Sequence, residues 1–169
     1  PLVPDAKVLD LGCAPGGWLQ YASRRIGLED GRGVLVGIDL LETEPVMGAS
    51  ILKGDINDDA MMAEMIRLID GKARLVLADM AADTTGHRPT DHIRTTLLLD
   101  LALDMAQRVL TPGGAFLAKC FRGGAERDAL ELMRRDFATV RHVKPAASRQ
   151  ESVESYVLAT GFRGDRPEE

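Results

Sequence analysis

The run Val8-Leu9-Asp10-Leu11-Gly12-Cys13-Ala14-Pro15-Gly16-Gly17-Trp18 constrains this chain more than any other stretch. Apolar residues around one Asp read as a short buried strand. Gly12, Pro15, Gly16 and Gly17 cannot continue it, so the chain turns there. Trp18 to Ile26 then carries helix formers, with apolar residues at 18/19, 22 and 26. Strand, glycine turn, helix is the opening unit of an open α/β sheet. In such sheets a nucleotide-like ligand sits at this junction, because backbone without Cβ atoms approaches it closely.

The rest of the sequence repeats the alternation. Val34-Leu35-Val36-Gly37-Ile38-Asp39 and Arg74-Leu75-Val76-Leu77-Ala78-Asp79 are apolar runs that end in an acid. Ala49 to Ile56 is a weaker strand that also ends near an acid, Asp55. Asp58 and Asp59 read as the N-cap and first turn of a helix through Met65 and Leu68. Met80 to Asp91 reads as a loop, Leu97 to Leu110 as a long helix, and Thr111-Pro112-Gly113-Gly114 as its stop. Ala115 to Phe121 is a further strand, Ala125 to Phe137 an amphipathic helix, and Thr139 to Lys144 an edge strand closed by Pro145. Glu154 to Gly161 is the last strand. This order predicts one α/β domain over residues 1–169, with a mostly parallel sheet covered by helices on both faces. The last two strands have no helix between them and are expected to pair antiparallel.

Composition excludes several classes. At 169 residues with 45% hydrophobic and 28% charged content, the chain has the make-up of an ordinary globular domain. No apolar run approaches the ~20 residues of a membrane span. Pro1-Leu2-Val3-Pro4 has no charged leader region, and the chain opens without Met, as a fragment or processed form does. Cys13 and Cys120 make neither a disulfide framework nor a metal-ligand spacing, so no metal is expected. A net charge of −5 gives no bulk attraction for nucleic acid.

Asp39, Asp55 and Asp79 fall on one edge of a parallel sheet, beside the glycine turn. Three converging acids do not suit a phosphate. They suit hydroxyls, amines and positive charge. Asp39 follows Trp18 by 21 residues, where an acid accepts from ribose hydroxyls. Asp55 is placed to accept from an adenine amino group. The turn is Gly-Cys-Ala-Pro-Gly-Gly rather than G-x-G-x-x-G or a P-loop. A nucleoside without phosphates, such as S-adenosylmethionine (SAM), therefore fits better than NAD or ATP. Each acid taken alone is equally well explained as a cap or turn residue.

Lys119 is the residue least at home in its strand, flanked by Phe116-Leu117-Ala118 and Cys120-Phe121. Either it snorkels from the strand end, or it pairs with Asp79 on the neighbouring strand. Glu154 opens the final strand and reaches the same edge. A Lys between two acids above a methyl donor suits activation of a hydroxyl. His87, His92 and His142 are not spaced as ligands and read as surface or capping residues. Ser23 and Ser148 lack a His/Asp context for a hydrolase. Arg141, His142, Lys144 and Arg149 make a local basic run, read either as a solvated edge or as an RNA phosphate contact.

With these residues in place, the chain resembles the FtsJ/RrmJ family of RNA ribose 2′-O-methyltransferases over nearly its whole length. The resemblance rests on Asp10 to Trp18, Asp79-Met80-Ala81, Leu110 to Lys119, and Lys144-Pro145-Ala146-Ala147-Ser148-Arg149 to Glu154-Ser155-Tyr156. It implies a Rossmann-like, seven-stranded sheet with the last strand antiparallel. It implies SAM contacts at Gly16, Trp18, Asp39, Asp55 and Asp79. The full candidate cofactor-binding set is Gly12, Ala14, Gly16, Gly17, Trp18, Asp39, Asp55, Ile56 and Asp79. The family's Lys-Asp-Lys-Glu tetrad matches here at Asp79, Lys119 and Glu154, the candidate catalytic residues. Its first Lys lies on a helix before the first strand. Lys7 is not its equivalent, and the arm that carries it is expected to be absent from this chain. The implied substrate is RNA, foremost a uridine of large-subunit ribosomal RNA, with the large ribosomal subunit as partner. A transfer RNA ribose, or a non-catalytic SAM- and RNA-binding ribosome assembly role, is the alternative. A monomer without membrane contact is expected, in a bacterial-type cytoplasm or, alternatively, a mitochondrion.

Overall fold

Among the described residues, seven strands and four α-helices form, and the burial of the strands follows their apolar pattern. The computed structural model describes residues 2–80, 88–121, 126–143 and 154–164; side chains at 88–92, 121 and 154 lie outside that description. The elements are β1 (Lys7–Leu11), α1 (Gly17–Ile26), β2 (Val34–Asp39), β3 (Ser50–Lys53), α2 (Asp59–Ile69), β4 (Ala73–Ala78), α3 (Arg88–Val109), β5 (Leu110–Phe121), α4 (Arg127–Asp136), β6 (Phe137–Val143) and β7 (Glu154–Phe162). The sheet order is β3-β2-β1-β4-β5-β7-β6. β1 to β5 pair in parallel, and β7 runs antiparallel to both β5 and β6. The expected seven-stranded, mostly parallel α/β sheet is therefore what forms. The strand that runs against the others lies between β5 and β6 rather than at the edge.

Side chains alternate across the sheet, so each strand supplies two layers. Leu9, Leu11, Val36, Ile38, Val76, Phe116 and Ala118 pack against α2, α3 and α4 through Met65, Ile69, Leu103, Met105 and Met133. Val8, Leu35, Leu75, Leu77 and Ala115 face the other way, onto Leu19, Ala22 and Ile26 of α1. Among the described residues, α1 and the short 3-10 turn Leu28–Asp30 cover this second face. Beyond them, Leu2, Val3, Trp18, Tyr21, Leu75, Leu77, Leu117 and Leu158 border an open apolar groove of about 360 Å³.

The helix ends follow local chemistry. The Asp58 carboxylate accepts from the Ala60 N–H and caps α2. Gly27, in the left-handed region, closes α1 through its N–H to the Ser23 carbonyl. Two boundaries differ from the sequence reading. α3 begins at Arg88 rather than near Leu97, because Pro89 occupies the first turn, where a missing N–H costs nothing. The helix does end just before Thr111 to Gly114, at Val109, but the next strand already begins at Leu110 rather than at Ala115, and these four residues lie within it. They form the irregular start of β5: Leu110 pairs with Ala73 and Ala115 with Leu75, so the chain bulges between them. Pro112 and a positive φ of 85° at Gly113 suit a bulge. β3 is also shorter than expected, so Asp55 stands beyond its end after Gly54.

Among the described residues, no helix is long and apolar enough to cross a membrane, and no group of His, Cys, Asp and Glu could hold a metal ion. Cys13 and Cys120 are both buried thiols.

Candidate active site

β1 leads through its helix to β2 on one side, while β4 continues the sheet on the other. A crevice opens at this switch, outside the C-terminal ends of the parallel strands. Gly12 makes it possible. Its φ is +80°, and a Cβ there would meet the Met80 Cγ at 2.6 Å and the Asp79 carbonyl oxygen at 3.1 Å. Its N–H and that of Cys13 both donate to the Ile38 carbonyl, at 2.8 and 3.1 Å, while the Asp79 N–H donates to the Leu11 carbonyl at 3.1 Å. The glycine turn is thus tied to the tips of β2 and β4.

The resulting cleft holds about 200 Å³ and is walled by Gly12, Ala14, Asp39, Asp55, Ile56 and Asp79, with Ile38, Leu40, Leu41, Gly54, Met80 and Leu98. Its acids are held by the chain itself. Asp39 accepts from the Ala14 N–H and the Leu41 N–H, each at 2.9 Å. Asp55 accepts from the Asn57 N–H at 2.9 Å and the Asn57 side-chain amide at 3.2 Å. A carboxylate has about four acceptor positions, so both keep capacity for a ligand. Among the described residues, the wall contains three carboxylates, no Lys or Arg, and several aliphatic side chains. That donor set fits SAM, which carries hydroxyls, an amino-bearing base and positive charge. It does not fit a pyrophosphate.

Next to the cleft, Lys119 is the charge inside β5 that the sequence singled out. Its Nζ lies 3.0 Å from Asp79 Oδ1, with side-chain exposures of 15% and 27%. The pair is mostly withdrawn from water, so Lys119 does not simply snorkel. The Tyr156 hydroxyl donates to the same Asp79 Oδ1 at 3.1 Å. Tyr156 stands directly across from Lys119 in the β5–β7 ladder, which places both side chains on one face.

Behind this group lies Asp10, 1% exposed. Neither of its carboxyl oxygens has a hydrogen-bond partner. Burial pushes the Asp10 carboxyl up to about 7, and the charges of Asp79 and Asp39 add to the rise. Asp10, Trp18, Asp79 and Tyr156 share a small cavity of about 10 Å³ with Leu77, Ala78 and Leu117.

Of the residues expected from sequence, Gly12, Ala14, Asp39, Asp55, Ile56 and Asp79 meet in the cleft. Gly16 is the N-cap of α1 with φ 119°, and Gly17 is its first residue. Trp18 is 42% exposed and borders the smaller cavity beside Asp79. The Glu154 backbone opens β7 opposite Phe121. Lys7 sits at the other end of the sheet, where its amine donates to the Asp70 carbonyl. Half-buried His142 lies 3.4 Å from the Ser155 hydroxyl, so it is less a surface residue than expected. His87, Lys144, Ser148 and Arg149, and the His92 side chain, lie outside the described residues. Sequence reasoning passed over Asp10 and Tyr156. Asp10 carried the same signal as Lys119, a charge within an apolar strand. Tyr156 had only its place two residues after Glu154.

The comparisons with known proteins agree with this geometry. The FtsJ-like methyltransferase profile matches residues 1–162. A ribosomal RNA large subunit methyltransferase E from Azorhizobium caulinodans is 51% identical over 165 residues, covering 96% of this chain and 69% of that protein. One from Granulibacter bethesdensis is 54% identical over 158 residues, covering 94% and 66%. The chain thus spans about two thirds of these relatives. Among solved structures, a Plasmodium falciparum protein described as a ribosomal RNA methyltransferase superposes with a TM-score of 0.79 at 23% identity, over 98% of this chain and 91% of that one. A Streptococcus mutans protein described as a methyltransferase, solved with SAH, superposes with a TM-score of 0.60 at 11% identity, over 95% and 88%. The structural likenesses speak for the fold, and the profile and the close relatives speak for descent: the chain belongs to the FtsJ-like methyltransferase family.

Proposed function

We propose that this chain methylates a ribose 2′-hydroxyl in RNA with SAM as donor, and that the ribose belongs to large-subunit ribosomal RNA. The observation that carries the reading is the Lys119–Asp79 pair, held at 3.0 Å on the lip of an acid-lined cleft. When bound, SAM supplies a methyl group made electrophilic by the positive charge on its sulfur.

The chain's own residues do the rest. Asp39 and Asp55 accept from the hydroxyls and amino group of the cofactor's nucleoside. Gly12 and Ala14 let it approach the backbone, Ile56 packs beside it, and Gly16, Gly17 and Trp18 complete the turn at its amino-acid end. The neutral Lys119 amine accepts a hydrogen bond from the ribose 2′-hydroxyl and takes its proton as the oxygen is methylated. The proton ends on Lys119 Nζ, where the Asp79 carboxylate stabilises the new ammonium. Asp79 also aims the Lys119 side chain. Glu154, at the same edge on β7, adds negative potential that favours the protonated amine. The substrate assignment to ribosomal RNA rests on the relatives of about 50% identity that carry that name.

The test is methyl transfer from labelled SAM to large ribosomal subunits lacking ribose methylation, with nucleotide-resolution mapping of the product. Lys119→Ala is expected to lower the rate by about 10²–10⁴-fold, the usual worth of a positioned proton acceptor. Calorimetric SAM affinity should stay within about threefold, because Lys119 does not wall the cleft. A variant that transfers at the wild-type rate would remove the role. Methyl groups found on transfer RNA alone would redirect the substrate.

A further inference from the structure

Asp79 is under electrostatic pressure from within the protein. The buried Asp10 carboxyl lies behind it, lining the same small cavity. The charge of Asp79 raises the Asp10 carboxyl, so the two groups repel when both are ionised. Asp79 is the more exposed of the two, at 27% of its side chain. What opposes its displacement is visible at one atom. Oδ1 receives an N–H of the Lys119 amine at 3.0 Å and the Tyr156 hydroxyl at 3.1 Å. Those two donors come from paired positions on adjacent strands. They are therefore fixed relative to one another by the sheet ladder, not by loops.

From this geometry we infer that Tyr156 is a positioning residue: its hydroxyl pins Asp79 Oδ1 in the place from which Asp79 holds Lys119 against the substrate hydroxyl. The inference rests on the reading of Lys119 as the group that engages the ribose. Tyr156 does not touch the reacting atoms and does not wall the cofactor cleft. Lys119 is a flexible chain with several rotatable bonds, and a misplacement of about 1 Å in a reacting group costs about 10²-fold in rate. A hydrogen bond to a charged acceptor, worth more than a neutral one, is enough to keep one arrangement of the carboxylate. The aromatic ring serves a separate purpose, walling the small cavity beside Trp18 and Leu117.

The two purposes separate experimentally. Tyr156→Phe keeps the ring and removes the hydroxyl, and Tyr156→Met removes both while leaving an apolar side chain in the cavity. Both are measured on the full chain alongside wild type and Lys119→Ala. The readouts are thermal melting, SAM affinity by calorimetry, and kcat and KM on large ribosomal subunits lacking the methyl group. Tyr156→Phe is expected to melt as wild type, to bind SAM within about twofold, to keep KM for RNA, and to lose about tenfold in kcat. Tyr156→Met should lose kcat to a similar extent. A Phe variant with wild-type kcat, or a loss confined to the Met variant, assigns Tyr156 to packing and overturns the proposal. A parallel loss of SAM affinity overturns it as well, by moving Tyr156 to the cofactor site. If wild type methylates and Lys119→Ala matches it, the reading of Lys119 fails. If Lys119→Ala is dead and Tyr156→Phe is not impaired, only the role of Tyr156 fails.

Discussion

At the scale of single residues, the two charges placed inside apolar strands have opposite fates. Lys119 finds Asp79 and the strand edge. Asp10 finds no donor and is driven toward its neutral form, with its carboxyl at about 7. The consequence for stability has a definite sign. Between about pH 4 and 7 the folded chain holds a proton that the unfolded chain has released. Unfolding then releases a proton, so stability from this group is greatest at about pH 4 and falls as pH rises to about 7. The full amplitude is on the order of 4 kcal/mol. Asp10→Asn, neutral at every pH with nearly the same shape, should flatten that slope and be more stable than wild type above about pH 7. Urea unfolding across this range measures it, and parallel wild-type and variant curves would rule the account out. Lys119 stood out in the sequence, and Asp10 carried the same signal unread, because a polar group inside an apolar strand must be paired, neutralised or functional. What the sequence did not disclose was which of these each would be, since that depends on neighbours from other strands.

At the scale of elements, the strand ends carry the site and the glycine turn sets its width. Gly12→Ala places a methyl 2.6 Å from the Met80 side chain and 3.1 Å from the Asp79 carbonyl, at a φ of +80°. The side chain can yield, but the backbone of the β4 tip cannot do so without moving Asp79. The substitution is expected to cost about 1–3 kcal/mol of stability and to weaken SAM binding by more than about tenfold. Asp58→Ala is the contrasting case. It removes the α2 cap and about 1 kcal/mol, with SAM affinity unchanged, because Asp58 lies outside the cleft wall. Calorimetry and melting on the two variants separate cleft from scaffold. The strands that end in Asp39 and Asp79 were legible because apolar runs closed by an acid leave little choice of element. The start of α3 was not, since Pro89 is as much at home in a first helical turn as in a loop. The Thr111–Gly114 bulge was not either, because the same four residues stop a helix or kink a strand. Only the pairing with β4 decides between them.

At the scale of the whole molecule, the parallel register gathers Asp39, Asp55, Asp79 and Lys119 at one edge, although they are spread over 81 residues of sequence. β7 holds the far side of that edge together. It is the partner of both β5 and β6, and its Phe162 ring packs 5.3 Å from that of Phe137. A chain ended before Glu154 is therefore expected to lose β6 from the sheet, to leave a face of β5 unpaired, and to melt without a single cooperative transition in calorimetry. A sharp transition like that of the intact chain would show that the first five strands stand alone. The central place of β7 also fixes an order of events at the ribosome. The glycine turn and the acids at 39, 55 and 79 lie on or just beyond neighbouring strands and are translated before Lys119. The strand that brings Tyr156 is made after both of its partners, β5 and β6. A nascent chain of this protein thus completes the strands that wall the cleft before it makes the strand that pairs with β5 from the other side.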